Sequence, residues 1–223
     1  MTNIYPLKKR LQLDKDNKWY INIPFEYSSN KRIKTDQSCS LDPGIRKFQV
    51  VYSQKEVIKV TTNYDLLRKL KDKISIFSKL RHSKAINSQN YKHKIIKLWS
   101  RHNNLVSDQH YQLANYLAHN YSTIYLPKFE SQKLTKKLNR TCNFNLLNLQ
   151  HYRFKERLRF KCSELGSKLI DCTEEYTSKT CGRCGVLNDV GSSEIYKCSS
   201  CKLIIDRDIN GSRNIYLKCE NKL

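Results

Sequence analysis

Four cysteines near the C-terminal end of the sequence form two C-x-x-C pairs, Cys181/Cys184 and Cys198/Cys201. Each short turn can point two thiolates at one tetrahedral ion, and two such turns complete a closed four-thiolate site. A ribbon of about 25 residues has little core of its own, so metal binding has to hold it together. The spacing predicts one structural Zn²⁺ ion without a catalytic role, with a rubredoxin-type iron site as the less favoured alternative.

The charge of the chain indicates a polyanionic partner. Lys and Arg number 42 against 20 acidic residues, which gives a formal net charge of +22. A compact domain with this much charge of one sign repels itself, and nucleic acid is the usual partner that offsets the repulsion. A merely basic surface is the alternative interpretation.

The sequence shows neither a run of about 18 apolar residues nor a signal-peptide pattern at its N-terminal end. We therefore expect an intracellular protein in a reducing compartment that makes no membrane contact. In such a compartment, cysteines serve as thiols and metal ligands rather than as disulfides. The five unpaired cysteines are expected to be small buried hydrophobic residues: Cys39, Cys142, Cys162, Cys172 and Cys219.

Hydrophobic periodicity predicts an α/β domain. Alternating or continuous apolar patterns predict strands over 19–25, 38–41, 47–52, 56–61, 122–127 and 167–173. A helical period predicts two long helices between about residues 65 and 120, joined as a hairpin. A third helix is predicted over about 143–165, with Leu147, Phe154 and Leu158 on its inner stripe. A last short helix is predicted to start near Asp208.

The predicted helical hairpin carries charge of almost one sign, because Asp72 is the only acid between Leu66 and Asn104. A charged helix face is ordinarily a solvated face of mixed sign. One-sided charge instead favours contact with phosphates. The residues proposed for this contact are Arg68, Lys69, Lys73, Lys79, Arg81, Lys94, Lys97 and Arg101.

Three acids lie at the ends of predicted elements: Asp42, Glu130 and Asp208. Taken singly, each has an ordinary interpretation, as a turn residue, a surface acid and a helix cap. Taken together they match a need of two-metal phosphodiester hydrolysis, in which clustered carboxylates hold two divalent ions about 4 Å apart. Strand-end acids that the fold brings together could form that cluster.

Several motifs are similar to those of the TnpB family of transposon-encoded proteins. LDPGIRKF at 41–48, LPKFE at 126–130 and DRDINGSRNI at 206–215 resemble its three RuvC motifs. EEYTSKTCGRCG at 174–185 is very similar to the segment that enters the family's zinc ribbon, and HYRF at 151–154 fits the helix before the last strand. Pro43 and the 126–130 motif look closest to the branch that includes the Fanzor proteins.

The resemblance covers about residues 38–218 and implies an RNase H-like (RuvC-type) α/β fold with an inserted helical hairpin and zinc ribbon. It implies four parts. Residues 1–36 would be the remnant of an N-terminal wedge-like domain, and 37–176 a nuclease core with the hairpin at about 65–120. Residues 177–203 would be the zinc ribbon and 204–219 the final RuvC segment.

The resemblance also implies an RNA-guided DNA endonuclease related to type V CRISPR effectors and associated with DNA transposition and recombination. By motif position, Asp42, Glu130 and Asp208 would hold Mg²⁺ or Mn²⁺. Asp206 would cap the last helix or support the ligands, and Arg207 would help to position a phosphate. The expected partners are DNA and a guide RNA, and in a eukaryotic host the expected compartment is the nucleus.

The family usually has a long N-terminal part, whereas about 40 residues precede Asp42 here. The resemblance therefore implies a truncated chain, or one whose N-terminal half is encoded separately and becomes a further partner. Two alternatives remain open at this point. One is a nucleic-acid-binding remnant or regulator without useful cutting, and the other is a DNA strand transferase.

Overall fold

The computed structural model describes residues 9–14, 18–24, 36–83, 88–129, 138–173, 175–191 and 193–221. The chain divides into two compact units, one formed by 1–29 with 63–109 and the other by 30–62 with 110–223. In the described ranges, no helix is both long and apolar enough to cross a membrane.

The first unit contains a β-hairpin and most of two helices. Strands β1 (Arg10–Leu13) and β2 (Trp19–Asn22) pair antiparallel. Helix α1 (Tyr64–His82) begins at Asn63, whose side chain accepts a hydrogen bond from the Leu66 backbone N–H. Helix α2 (Ser88–Asn120) continues from this unit into the second. The Phe77 and Tyr91 rings stack at a centroid distance of 5.9 Å, which pairs α1 with α2 as the predicted hairpin.

The sheet of the second unit has five strands in the order β5-β4-β3-β6-β7. These strands are β3 (Ser38–Pro43), β4 (Gln49–Tyr52), β5 (Val57–Val60), β6 (Thr123–Pro127) and β7 (Lys168–Cys172). The first three are antiparallel neighbours, as their short connections require, while β6 and β7 run parallel to β3. The carboxyl ends of β3, β6 and β7 therefore lie at one edge.

The last helix, α5 (Arg207–Cys219), packs on one face of this sheet through alternate residues of β3. Ser38 Oγ donates to Glu220 Oε1 just beyond the helix at 2.6 Å, and Ser40 Oγ donates to the Ser212 carbonyl at 2.6 Å. Ser40 and Ser212 are both fully buried, so each satisfies a polar group that water cannot reach. Asp42 follows next on the same face.

The predicted helix over 143–165 is wrong in one respect, because two helices occupy this region. Helix α3 (Arg140–Leu149) ends and α4 (His151–Leu165) begins at Gln150, whose φ of 47° lies in the left-handed region. Gln150 interrupts the 3.6-residue period of the helix. An apolar stripe extended from α4 back through Gln150 therefore predicts the wrong buried face for α3. Leu147 is 63% exposed, whereas Phe154 and Leu158 are buried as predicted.

The strand predicted over 19–25 is shorter, since β2 ends at Asn22, and its partner β1 was missed. Both strands are exposed along their whole length. Neither face of β1 is buried, and its four residues are too few for their pattern to have predicted a strand. The other predicted strands and helices lie where periodicity placed them, with ends that differ by one to a few residues, and a further antiparallel pair, Ile195–Lys197 with Ile204–Asp206, was not predicted.

Candidate active site and metal centre

The carboxylate of Asp42, on β3, contacts the turn of α5 that begins at Asp208. The Asp42 carboxylate lies directly against Gly211, where an added methyl group would be 2.7 Å from Asp42 Oδ2. Gly211 follows Asp208 by three residues, so the two share one face of α5. The glycine therefore permits an approach of the Asp42 carboxylate to the helix that any larger residue would block.

Lys47 was not predicted from the sequence to have a role, yet it bonds two of the acids at this site. Its Nζ lies 2.8 Å from Asp208 Oδ2 and 2.9 Å from Asp206 Oδ2. The Lys47 pKa is raised. Burial opposes the charge, but the hydrogen bonds to Asp208 and Asp206 outweigh burial. Lys47 lies in the LDPGIRKF motif, but its role could not be predicted from it, because the contact joins a strand connection to a helix about 160 residues later.

Asp206, and not Asp208, caps α5. Its side chain accepts hydrogen bonds from the Asp208 and Ile209 backbone N–H groups, which is one of the two roles predicted for it. Lys59 Nζ lies 2.8 Å from its Oδ2, in addition to Lys47. Burial would raise the Asp206 pKa, but Lys59, Lys47 and the Ile209 N–H together lower it to about 2. The cap is therefore ionised, and it fixes where the Asp208 turn begins.

Glu130, the third predicted acid, lies outside the described residues. The structure describes its strand up to Phe129. β6 runs parallel to β3 and pairs with it, so the segment that leads to Glu130 departs from the same sheet edge as Asp42. The catalytic grouping of the three acids stays a prediction.

The four cysteines of the C-x-x-C pairs form one cluster. Their Sγ atoms all lie within 4.8 Å of one another. The Cys181–Cys201 and Cys184–Cys198 Sγ distances are both 3.6 Å. Tetrahedral zinc with bonds of about 2.3 Å requires sulfurs about 3.8 Å apart. The donor set and its spacing therefore fit a closed four-sulfur metal site.

The surroundings of this cluster shift the pKa values of two of its cysteines in opposite directions. The Cys201 backbone N–H donates to Cys198 Sγ at 3.4 Å, and this bond is the main cause that lowers the Cys198 pKa to about 6. The Leu203 N–H also favours the Cys201 thiolate, but burial and the three neighbouring sulfurs outweigh it and raise its pKa to about 11. A metal ion would remove this conflict, because it favours all four thiolates at once.

Two buried asparagines join the ribbon to α5. Asn210 Oδ1 accepts from the Gly182 N–H at 3.0 Å, and its Nδ2 donates to the Thr180 carbonyl at 2.7 Å. Asn214 Nδ2 donates to the Thr177 and Thr180 carbonyls at 2.8 and 2.7 Å. The first cysteine turn therefore packs on the helix that carries Asp208. Neither asparagine was predicted to have a role, although both lie in the DRDINGSRNI motif.

The basic residues predicted to bind nucleic acid differ in their surroundings. The eight on α1 and α2 are exposed, and Lys94 lies over the Phe77 ring at 5.4 Å. Lys97 and Arg101 line a groove of about 500 Å³ in the first unit. Arg207 is half-buried, and its Nη1 donates to the Gly191 carbonyl at 2.7 Å, so it also anchors the ribbon.

The five remaining cysteines are only partly as predicted. Cys39 and Cys162 are buried, and burial is the main cause that raises the Cys39 pKa well above its ordinary value. Cys142, Cys172 and Cys219 are partly exposed. These three are therefore not the buried hydrophobic residues that the sequence analysis expected.

Comparison with known proteins identifies the family. Residues 151–215 match the family model of the Cas12f1-like TNB domain. TnpB-like protein L79 of Acanthamoeba polyphaga mimivirus is 32% identical over 92% of this chain. The chain belongs to the TnpB family. This is a family of transposon-encoded nucleases, and the chain spans 42% of the length of L79.

Two further comparisons concern Cas12f1. The CRISPR-associated endodeoxyribonuclease Cas12f1 of Sulfoacidibacillus thermotolerans is 32% identical over 35% of this chain. A solved structure of a Cas12f1–sgRNA–target DNA complex aligns with a TM-score of 0.67 at 18% identity, over 93% of this chain and 44% of that one. The TnpB-family chain therefore has a Cas12f-like mixed α/β fold with a four-cysteine cluster.

The Asp206 cap predicts how acid affects stability. The pKa of Asp206 is about 2 in the folded protein, against the ordinary value of 3.8 expected for the unfolded chain. Folding therefore favours its ionised form. This stabilisation is complete above about pH 4 and is lost as the pH falls toward 2. After allowance for partial exposure it amounts to about 1–2 kcal/mol. Asp206→Asn keeps a capping side chain, so it should lose only this contribution.

Urea denaturation between pH 2 and 7 measures the effect. The difference in unfolding free energy between the original chain and Asp206→Asn should be constant above about pH 4 and shrink below it. Asp189→Asn, which changes an exposed aspartate of the ribbon, is the control. A difference that stays constant down to pH 2 would contradict the account of the cap.

Proposed function

We propose that this TnpB-family chain is an RNase H-like, RuvC-type nuclease core that cuts DNA with two divalent ions. The observation that carries the proposal is the contact of the Asp42 carboxylate with Gly211, one helical turn after Asp208. It puts an acid from the central strand beside an acid from the last helix. The sheet order supports it, since three antiparallel strands are followed by two parallel ones.

Asp42, Asp208 and Glu130 are the proposed ligands of Mg²⁺ or Mn²⁺. Carboxylates suit these hard ions, which would activate a water molecule and stabilise the leaving oxygen. Lys47 has a second part in this proposal. Its ammonium group now neutralises Asp208 and Asp206 and holds both carboxylates in place. If divalent ions neutralise Asp208, Lys47 would keep its contact with Asp206 and could turn the rest of its ammonium group toward a phosphate of the substrate.

The four-cysteine cluster is proposed to hold one structural Zn²⁺ ion. Four sulfurs with separations close to those of a tetrahedral thiolate site leave no open position for substrate. Its contribution to cutting would be indirect. A folded first knuckle presents Gly182 and Thr180 to Asn210, and Asn210 follows Asp208 by two residues.

The substrate and guide are proposed from charge and from the relatives. The exposed lysines and arginines of α1 and α2 are suited to phosphate contact, and such binding should weaken steeply with salt. The solved Cas12f1 structure is a complex with a single guide RNA and target DNA. We propose that this chain likewise acts on DNA under a guide RNA, which would read the base sequence by pairing. A separately encoded N-terminal half would be a further partner.

The sharpest test of the active site removes Asp42. Asp42→Ala should reduce Mg²⁺-dependent cleavage of single-stranded DNA by more than about a hundredfold, since even the loss of groups behind metal ligands costs about 10–100-fold. Cleavage is followed on gels with end-labelled DNA. Asp72→Ala, which removes an exposed acid of α1, should cut like the original chain. Equal cutting by Asp42→Ala would remove the assignment of the site.

The role of the ribbon is tested at Cys181. Cys181→Ser should lower the zinc content below one ion per chain and also reduce cleavage, because the displaced knuckle no longer supports the Asp208 turn. Elemental analysis and the gel assay measure the two effects. Cys142→Ser changes a cysteine outside the cluster and should keep both zinc and activity. A Cys181→Ser protein that loses zinc yet cuts at the original rate would break the proposed link.

The alternative function is a nucleic-acid-binding module without cutting. The observation that favours it is the exposure of the basic residues on α1 and α2, which suffices for phosphate contact without any of the acids. Co-purified RNA separates the two proposals. One defined RNA species favours the guided nuclease. Heterogeneous RNA that moderate salt releases, together with no cleavage under Mg²⁺ or Mn²⁺, favours the module.

A further inference from the structure

A cavity of about 350 Å³ opens in the second unit at the carboxyl ends of β3 and β6. Pro43, which directly follows Asp42, lines it from β3, and Phe129 lines it from the end of β6. The first turns of α4 form the other wall. In sheets with parallel strands, ligands commonly bind outside the carboxyl ends. The volume lies at the lower end of the range for small-ligand pockets, about 300–1,000 Å³, and suits a group of the size of one nucleotide.

Part of the wall of this cavity is aromatic. The Phe129 ring lies 4.4 Å from the His151 ring, measured between centroids. Tyr152 lines the cavity beside them and is 75% exposed. The Tyr152 side chain sits at the start of α4 and is not used to hold the core. Rings of this kind are the surfaces on which unpaired bases stack in proteins that bind single strands.

Two buried polar atoms of the lining residues make no hydrogen bond of ordinary geometry: Gln49 Oε1 and His151 Nε2, although the Gly44 backbone lies close enough to the His151 ring to favour its charged form. Gln49 is 1% exposed and His151 is 7% exposed, and such atoms are normally paired. The other ends of the two side chains face each other, with Gln49 Nε2 3.5 Å from His151 Nδ1. With Gln49 Nε2 as the donor, Oε1 remains an acceptor, and the neutral imidazole carries its hydrogen on Nε2.

This pairing leaves one acceptor on Gln49 and one donor on His151 among the lining residues, and the edge of a nucleobase offers both kinds of partner. Proteins that accept an unstacked base read its edge through such hydrogen bonds and hold its faces between aromatic or apolar side chains. Burial lowers the His151 pKa to about 4, so the imidazole is neutral near pH 7 and keeps a donor and an acceptor nitrogen.

The rim of the cavity suits a phosphate chain. Among the described residues, Lys128, Lys155 and Arg159 line it, together with the carboxylate of Glu156. Asp171 holds Lys155 Nζ at 2.8 Å, and Arg159 pairs with Glu156, so two of the cations are fixed in place. No side-chain hydrogen bond caps the first turn of α4, and the N-terminal end of a helix favours an anion.

We propose that this cavity is a nucleotide subsite, which takes one unpaired base of single-stranded DNA next to the acids. The base would stack on Tyr152 and Phe129 and bond Gln49 and His151, while the neighbouring phosphates contact the basic rim. The inference rests on the proposed nuclease function, because that function brings a DNA strand to this sheet edge. It adds a specific place for one nucleotide, which the nuclease proposal does not require.

The test uses single-stranded DNA that contains 2-aminopurine, whose fluorescence falls when the base stacks. Binding is measured with the full 223-residue chain carrying Asp42→Asn, which prevents cutting. Quenching is expected on binding. Tyr152→Ala and Gln49→Leu should each weaken binding by about tenfold and restore fluorescence, in keeping with the size of base–aromatic stacking. Thermal unfolding checks that each variant is folded, and Tyr152 is too exposed for its loss to unfold the chain.

The matched control is Phe160→Ala, which removes an exposed ring from the same helix but outside the cavity. It should bind and quench like the parent chain. DNA with an abasic position in place of 2-aminopurine should bind the Tyr152→Ala and parent chains equally. Equal binding and quenching by Tyr152→Ala, Gln49→Leu and Phe160→Ala would overturn the subsite.

The outcome is separable from that of the nuclease proposal, because cleavage is measured on the chain with Asp42 intact. A chain that cuts DNA but shows no quenching that depends on Tyr152 loses only the subsite. A chain that never cuts, yet quenches in a Tyr152-dependent way, loses the nuclease proposal and keeps the subsite.

Discussion

The attachment of helix α5 is the constraint on which the rest of the second unit depends. Asn210, Ser212 and Asn214 of this helix are fully buried polar residues, and the side chains of Asn210 and Asn214 donate to backbone carbonyls of the ribbon. Ser212 accepts from Ser40 of β3. A buried polar group stabilises a fold only where its partners are present, and leaving it unpaired costs about 1–3 kcal/mol. Such contacts fix the helix in one position, which apolar packing alone would not do.

The position of α5 also determines the electrostatics of the candidate site. The chain carries a net charge of +22, yet Asp42, Asp206 and Asp208 converge on one turn. Lys47 and Lys59 offset the repulsion among them by pairing with Asp206, and Lys47 also pairs with Asp208. If Asp208 holds a divalent ion as proposed, Lys47 would have to give up its contact with this carboxylate. The lysine thus holds the Asp208 carboxylate in place while remaining exchangeable, because its Nζ makes hydrogen bonds rather than coordinate bonds.

How far the sequence could predict the fold depended on the range of the interactions involved. An element with one buried face shows a local pattern of apolar residues. The strands could be predicted from alternation, and α1 and α2 from the helical period, because both patterns lie within short stretches of sequence. The break at Gln150 was not, because a left-handed residue other than glycine leaves no local signature. The short strand β1 was missed for a related reason, since an exposed hairpin shows little contrast between its faces.

The sequence by itself determined the four-cysteine cluster and the family, because cysteine spacing and contiguous motifs are local features of the chain. It also determined the excess of positive charge, which is a sum over residues. Only the tertiary structure decided that Lys47 bonds Asp208, that Gly211 admits the Asp42 carboxylate and that Gln49 meets His151 in a cavity. These contacts join residues about 100 to 170 positions apart, and the packing of helices on the sheet, rather than any spacing in the chain, brings them together.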